Sequence, residues 1–407
     1  MRVVHLNTRL TEGGAGRLGL DLHTRLLDKG IESKIFYGYG SGAKRNPQDN
    51  VILQAHHLGR RDQVLGNYLI HRLIGIDILN PVGRGVSSLR SAVQEADIVH
   101  LHNIHSHFVP YAWLFEHLRD MNKKVVWTLH DSWVLTGRCA VPGTCERWRS
   151  GCGSCPLMAN YPAAMVDLSA FESKRKRKQI GSLGDNLVFV GCAQWIAQRA
   201  QVVFPDHEVC FVHNGLDTEM EEQLRVTRDK AKTNEAQKAR KEVVVIGADL
   251  SDSQQHNIEL IQQIIKHGGC TVHAVGKYSP FKGPNVLNHG SISSRSRLAE
   301  LYRHADATLF VSNNHFSLVL LESLSAGTPV LALDTPGSRE VLSLIGARPV
   351  KGDAEMLSRV QRASFFDLYE QQSRDDLQDK ALEIFSGNRM AEQYVEVYRS
   401  ALNHVSV

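Results

Sequence analysis

Two apolar runs of this chain end in groups that can exchange protons or hold a ligand. Ala96–Leu101 runs into histidines at 100, 102, 105 and 107, and Lys124–Leu129 runs into His130 and Asp131. Polar side chains just past the carboxyl end of a parallel strand sit where open α/β sheets place their ligands. Alternation along a strand puts His100 and His102 on one face, and with His105 and His107 they could gather a metal, although no acidic ligand sits beside them. His130 with Asp131 reads either as a ligand-facing pair or as a structural histidine with its partner.

The second half carries one well-placed carboxylate. From Phe310 the chain passes a loop containing Asn314 into a helical run bearing Glu322, which Ala326-Gly327-Thr328-Pro329 breaks before the next strand. A Glu on the first turns of such a helix can accept hydrogen bonds from both hydroxyls of a ribose. Near the start, Gly13-Gly14-Ala15-Gly16-Arg17 lies between a strand and the helix Leu18–Leu27. Glycines there admit a ligand close to the backbone, and the N–H groups of a helix start favour a phosphate; a tight strand-to-helix turn uses the same residues.

Four of the seven cysteines, Cys139, Cys145, Cys152 and Cys155, fall in a C-x5-C-x6-C-x2-C loop with few aliphatic residues. In a reducing compartment such a cluster suits one structural zinc, with free thiols or a redox pair as the alternatives. Lys174-Arg-Lys-Arg-Lys178 follows in a helical context. It is either a solvated face or a patch that docks an anionic membrane leaflet.

These residues need elements to position them. Strand-like runs at Val3–Leu6, Ser33–Tyr37, Asp97–Leu101, Lys124–Leu129 and Leu187–Val190 alternate with helical patterns. A second series comprises Val243–Ile246, Thr271–Val275, Ala307–Val311 and Pro329–Ala332. The rhythm is that of βαβ units around parallel sheets. We expect two Rossmann-like α/β domains, 1–205 and 206–388, with a charged linker at 225–241 and a closing helix in 389–407. At 407 residues, 42% hydrophobic and 22% charged, the chain has material for two cores. No apolar run reaches the ~18 residues that span a bilayer, and the opening MRVVHLN goes straight into a strand, so a cytoplasmic location is expected. Residues 1–204 hold 25 Lys and Arg against 16 Asp and Glu, whereas 205–407 hold 22 against 27. The basic half suggests an anionic substrate or headgroup surface, without a nucleic-acid-binding module.

Taken together, the GGAGR loop, ADIVHLHN, the TLHD strand end, Val212-His-Asn-Gly-Leu-Asp217, LESLSAGTPVLA and the final EQYVEVY resemble, in order and over nearly the whole chain, the retaining glycosyltransferases of family four. The colanic acid transferase subgroup also shares RLTEGGAG, FYGYG and the cysteine loop. The resemblance implies a GT-B fold, two Rossmann-like domains facing a cleft, with the last helix returning to the first. It implies that Glu322 binds the donor's ribose, that Gly13 and Gly14 lie at its phosphates, and that Gly276, Lys277, His289 and Gly290 lie near its base. Ser317 and Leu318 complete that donor set. The histidine-rich strand end becomes a substrate cleft, with His130 at the transferred sugar and Asp131 and Asn314 as its catalytic companions. Two departures stand out: Asn314 replaces a usual glutamate eight residues before Glu322, and Gly247–His256 lacks the usual phosphate-binding Arg and Lys. Arg17, Lys277 and Lys282 are the substitutes at hand. The implied reaction moves a hexose from a nucleotide diphosphate sugar to a lipid-linked glycan at a membrane surface, with no catalytic metal. A protein that binds sugar nucleotides without turnover is the alternative.

Overall fold

A computed structural model describes residues 1–38, 54–231, 240–250, 255–311, 316–371 and 373–403. The polypeptide divides into two compact units, Met1–His213 with Met390–Val407, and Asn214–Arg389.

The first unit is built on seven parallel strands: β1 (Arg2–Asn7), β2 (Glu32–Tyr37), β3 (Ala55–His57), β4 (Ile98–Leu101), β5 (Lys124–Leu129), β6 (Leu187–Gly191) and β7 (Glu208–Phe211). They lie in the order β3-β2-β1-β4-β5-β6-β7. β4 and β6 are buried at every position, as expected of parallel strands covered by helices on both faces. Strand order reverses beside β1, which pairs with β2 on one edge and β4 on the other, and such a reversal opens a crevice at the carboxyl ends. The unit runs to His213, beyond the expected boundary at 205, because β7 pairs with β6.

From Met390 onward the closing helix Gly387–Asn403 belongs to this unit. Its apolar stripe buries Met390, Tyr394, Val395, Tyr398 and Ala401. Two of these side chains are anchored by polar atoms. The Tyr398 hydroxyl lies 2.6 Å from His100 Nδ1, the Tyr394 hydroxyl 2.7 Å from Thr128 Oγ1, and that oxygen 2.7 Å from His100 Nε2.

The second unit has β8 (Lys241–Asp249), β9 (Cys270–Lys277), β10 (Val286–Gly290), β11 (Ala307–Phe310) and β12 (Val330–Ala332), again parallel, in the order β10-β9-β8-β11-β12. Its order reverses at β8 and β11. Gly276, with φ 149°, runs so close to the Gly247 carbonyl that no side chain fits there. Of the expected linker, residues up to 231 finish the helix Thr218–Ala231, 232–239 lie outside the described residues, and Lys241 opens β8. Among the described residues no helix is long and apolar enough to cross a membrane. Both units are thus α/β with doubly wound parallel sheets.

Removing the Tyr398 hydroxyl leaves His100 Nδ1 buried without a partner. Tyr398→Phe should therefore lower the unfolding free energy by about 1–3 kcal/mol. Urea unfolding of both proteins measures it, and an unchanged midpoint would show that the Tyr398 hydroxyl adds nothing to the hold on the closing helix.

Candidate active site

At the reversal in the first unit the loops after β1 and β4 are stitched together. Thr8 Oγ1 donates to the carbonyls of Asn103 (2.8 Å) and His105 (2.6 Å), while Asn7 Nδ2 donates to Ala15 O at 2.8 Å. The helix Gly13–Asp28 starts in this crevice with Gly13 and Gly14 exposed and Arg17 half-buried.

Three imidazoles form a row beneath it. His5 Nδ1 lies 3.1 Å from His102 Nε2, and His102 Nδ1 lies 3.0 Å from His130 Nε2. Burial lowers the pKa of His5, His100 and His102 well below 6.5 and that of His130 to about 4, so all four are neutral near pH 7. A neutral ring has one N–H, so the protons must run in one direction along the row. His5 Nε2 is buried with no partner. A buried lone pair without a donor is tolerated better than a buried N–H without an acceptor. The protons therefore sit on Nδ1 of His5 and His102, and His130 is left as an Nδ1–H donor. The row also needs space: a methyl group on Gly19 would stand 3.4 Å from His102 Nε2 and 3.0 Å from Asn7 Nδ2. Neither His5 nor Gly19 stood out in the sequence, because only the fold brings them to the motif histidines.

Asp131 turns inward. Its Oδ1 accepts from the Trp133 N–H at 2.8 Å and its Oδ2 lies 2.8 Å from His105 Nε2. His107 joins Asp77, Nδ1 to Oδ1 at 2.8 Å, and His71 Nδ1 lies 3.0 Å from the same oxygen. Among the described residues the groups of potential metal ligands that converge are His5–His100–His102 and His71–Asp77–His107.

The cysteine quartet is not such a group. Cys139, Cys145, Cys152 and Cys155 are free thiols lining one small cavity. Cations order the backbone of this loop. Arg138 donates to the carbonyls of Leu157 (2.7 Å), Met158 (3.1 Å), Asn160 (3.0 Å) and Pro162. Arg147 caps Gly153 and Ser154, and Arg177 caps Trp148. Lys176 is buried, donates to Trp133 O at 2.8 Å and Thr136 O at 3.2 Å, and lies 3.6 Å from the centre of the Trp133 ring. Burial lowers its pKa to about 8, against the pull of nearby Glu172. Of the basic run, only Lys174 and Lys178 are exposed, so it is no continuous charged face.

In the second unit Ser317 Oγ accepts from the Val319 N–H at 3.3 Å and caps the helix Leu318–Ser325. Glu322 on that helix is buried. Its Oε1 accepts from Arg295 Nη1 at 3.0 Å and its Oε2 from the Tyr302 hydroxyl at 2.9 Å, while Arg295 Nη2 also pairs with Asp217. Arg295, Asp217 and Tyr302 were not legible as site residues, since they come from separate segments. Lys277 and Lys282 are exposed around the end of β9, Gly290 closes β10, and His289 Nε2 lies 3.0 Å from His273 Nδ1. Asn314 lies outside the described residues.

With this geometry in hand, likeness to known proteins defines the class. Residues 281–344, which hold Arg295, Ser317 and Glu322, match the family described as Glycosyl transferases group 1. The protein is a glycosyltransferase of the GT-B fold. It is 29% identical, over 98% of its length and 100% of the relative's, to the putative colanic acid biosynthesis glycosyl transferase WcaC of Escherichia coli strain K12. Its fold is similar to that of Anabaena Alr3699/HepE, solved with UDP and glucose (12% identity, TM-score 0.62, covering 98% and 100% of the chains). It is also similar to that of a trehalose 6-phosphate synthase from Burkholderia multivorans (12% identity, TM-score 0.63, full coverage of both).

The depressed imidazole pKa values carry a pH signature. Between 6.5 and about 4 the unfolded chain binds protons that the folded His130 does not, so folding stability is full above pH 6.5 and falls as pH drops through this window. Urea unfolding at a series of pH values should show this slope above the range where carboxylates titrate, and a shallower one for His130→Gln. Equal slopes for the two proteins would place the proton uptake elsewhere.

Proposed function

We propose that the protein is a retaining transferase that moves a hexose from UDP- or GDP-hexose to a lipid-linked glycan, in exopolysaccharide or surface-glycan assembly on the cytoplasmic side of a membrane. The bond between the anomeric carbon and the diphosphate oxygen breaks, a bond to an acceptor hydroxyl oxygen forms, and the acceptor's proton passes to the departing diphosphate. The observation that carries this reading is Glu322. It is buried on the first turns of the helix that follows β11, at the strand-order reversal, within the segment matching the family. Ser317 and Leu318 start that helix, where backbone N–H groups favour a phosphate. Gly276, Lys277, His289 and Gly290 take the base side. In the first unit, Gly13, Gly14 and Arg17 serve the phosphates, the His130 N–H donates to a hydroxyl of the hexose, Asp131 holds His105 in place, and Asn314 takes a sugar hydroxyl. Whole-length likeness to WcaC supports the pathway, and the UDP bound to Alr3699/HepE supports the donor class.

The cysteine loop carries at most one zinc in this reading, on Cys139, Cys145, Cys152 and Cys155. Zn–S bonds of about 2.3 Å require the sulfurs to draw to roughly 3.8 Å of one another. Elemental analysis of protein purified without chelator decides between this and four thiols.

A second reading, binding without turnover, is favoured by the absence of Arg and Lys in Gly247–His256. Calorimetry with UDP and GDP followed by transfer assays separates the two. If the charge-assisted bonds from the ribose hydroxyls are together worth roughly 2–4 kcal/mol, Glu322→Ala should weaken nucleotide binding by roughly one to three orders of magnitude. Because Glu322 also partners Arg295, Glu322→Gln serves as a gentler companion. If wild type binds neither nucleotide, or Glu322→Ala binds as tightly, the donor site is misassigned.

A further inference from the structure

The helix Arg61–Ile74 is amphipathic the wrong way round. Its buried residues are Gln63, Asn67 and His71, polar and spaced four apart. Its exposed face carries Leu65, Tyr68, Leu69 and Leu73, each about half exposed at 58%, 46%, 55% and 55%. Helices on a water-soluble surface present the opposite pattern.

The buried polar row ties down neighbouring backbone, although Gln63 Oε1 and His71 Nε2 have no hydrogen-bond partner. Gln63 Nε2 donates to the carbonyls of Leu79 (3.1 Å), His107 (3.2 Å) and Phe108 (3.2 Å). Asn67 donates to Leu79 O at 2.9 Å and His107 O at 3.0 Å, and its Oδ1 accepts the N–H groups of Ile78 and Leu79. His71 pairs with Asp77. These side chains hold the loop after β4, so the helix cannot roll its apolar face inward without breaking that loop. Its outward apolar face is a fixed feature.

The face extends beyond the helix. Ile78 and Leu79, both exposed, are tied to it by Asn67. Met165 and Val166, exposed at 74% and 49%, donate their N–H groups to Arg72 O and Leu73 O at 2.9 Å. Monomers rarely expose contiguous apolar patches above a few hundred Å2, and one of this kind marks a contact surface. Exposed Arg60, Arg61, Arg72 and Arg84 border it, and the acid among them, Asp62, is paired with Arg60.

We infer that this face docks the first unit onto an anionic lipid bilayer, the helix lying in the plane of the headgroups. An apolar face flanked by arginines is the composition of an interfacial helix. A two-fold pairing of the face on a second copy would instead turn the same arginines toward one another. The inference deepens the lipid-linked acceptor reading by naming the surface that meets the membrane, and it assigns that role to this helix instead of Lys174–Lys178.

The test is co-sedimentation with vesicles of phosphatidylcholine alone or mixed equally with phosphatidylglycerol. Wild type should bind the mixed vesicles. Leu69→Asp with Leu73→Asp should cut the bound fraction roughly tenfold at every salt concentration, whereas Arg61→Gln with Arg72→Gln should do so at low salt only. Lys174→Gln with Lys178→Gln should change little. All four substituted leucine and arginine positions are exposed, and an unaltered urea unfolding midpoint reports an intact fold separately from membrane contact. The proposal is overturned if wild type ignores anionic vesicles, if the double Asp variant binds as wild type does, or if sedimentation velocity shows a wild-type dimer that this variant dissociates.

Discussion

The first unit depends on keeping a row of imidazoles dry and uncharged. His5, His102 and His130 come from β1 and from the ends of β4 and β5, and each hydrogen bond between them holds a single proton. A further proton would place a charge in a buried site, and one added between two rings would force two donors to face each other. The surroundings fit this constraint. Trp127 Nε1 donates to His102 O at 2.9 Å, Gly19 leaves room for the ring, and neighbouring His100 spends both nitrogens on Thr128 and Tyr398. The closing helix is thereby tied to the same strands that carry the row.

Which parts of the fold were legible in the sequence follows from burial. Every strand missed by hydrophobic pattern is an edge strand with no fully buried residue. β3 and β7 flank the first sheet, β10 flanks the second, and each alternates only between half-buried and exposed positions. β12 is also an edge strand, yet it is buried throughout and was readable. Hydrophobic pattern reports burial and not hydrogen bonding, so strands held mainly by backbone bonds escape it.

Side-chain chemistry was legible where one segment carried the whole motif. His130 and Glu322 could be singled out from their positions after strands, but their partners could not. Arg295 precedes Glu322 by 27 residues and Asp217 precedes Arg295 by 78. The cysteine loop hides a different kind of order. In a segment poor in aliphatic residues, arginine and lysine side chains bind backbone carbonyls. Lys176, read as part of a charged surface, is one of them.

In the proposed reading the second unit poses the harder electrostatic question, since a departing diphosphate needs positive potential. Arg295 cannot provide it, because one guanidinium already serves two carboxylates, and the trio keeps a net negative charge. Among the described residues, the helix that carries Glu322 offers its own capped start at Ser317 and Leu318, where backbone N–H groups carry about half a positive charge. The first unit likewise begins a helix at Gly13, in its own crevice at the strand-order reversal. In the proposed reading, backbone dipoles therefore carry more of the diphosphate's charge than side-chain cations do. Such stabilisation is already oriented before the substrate arrives, so it costs little reorganisation as charge develops on the leaving group. It also explains how Gly247–His256 can lack the usual Arg and Lys without removing every source of positive potential for the phosphates.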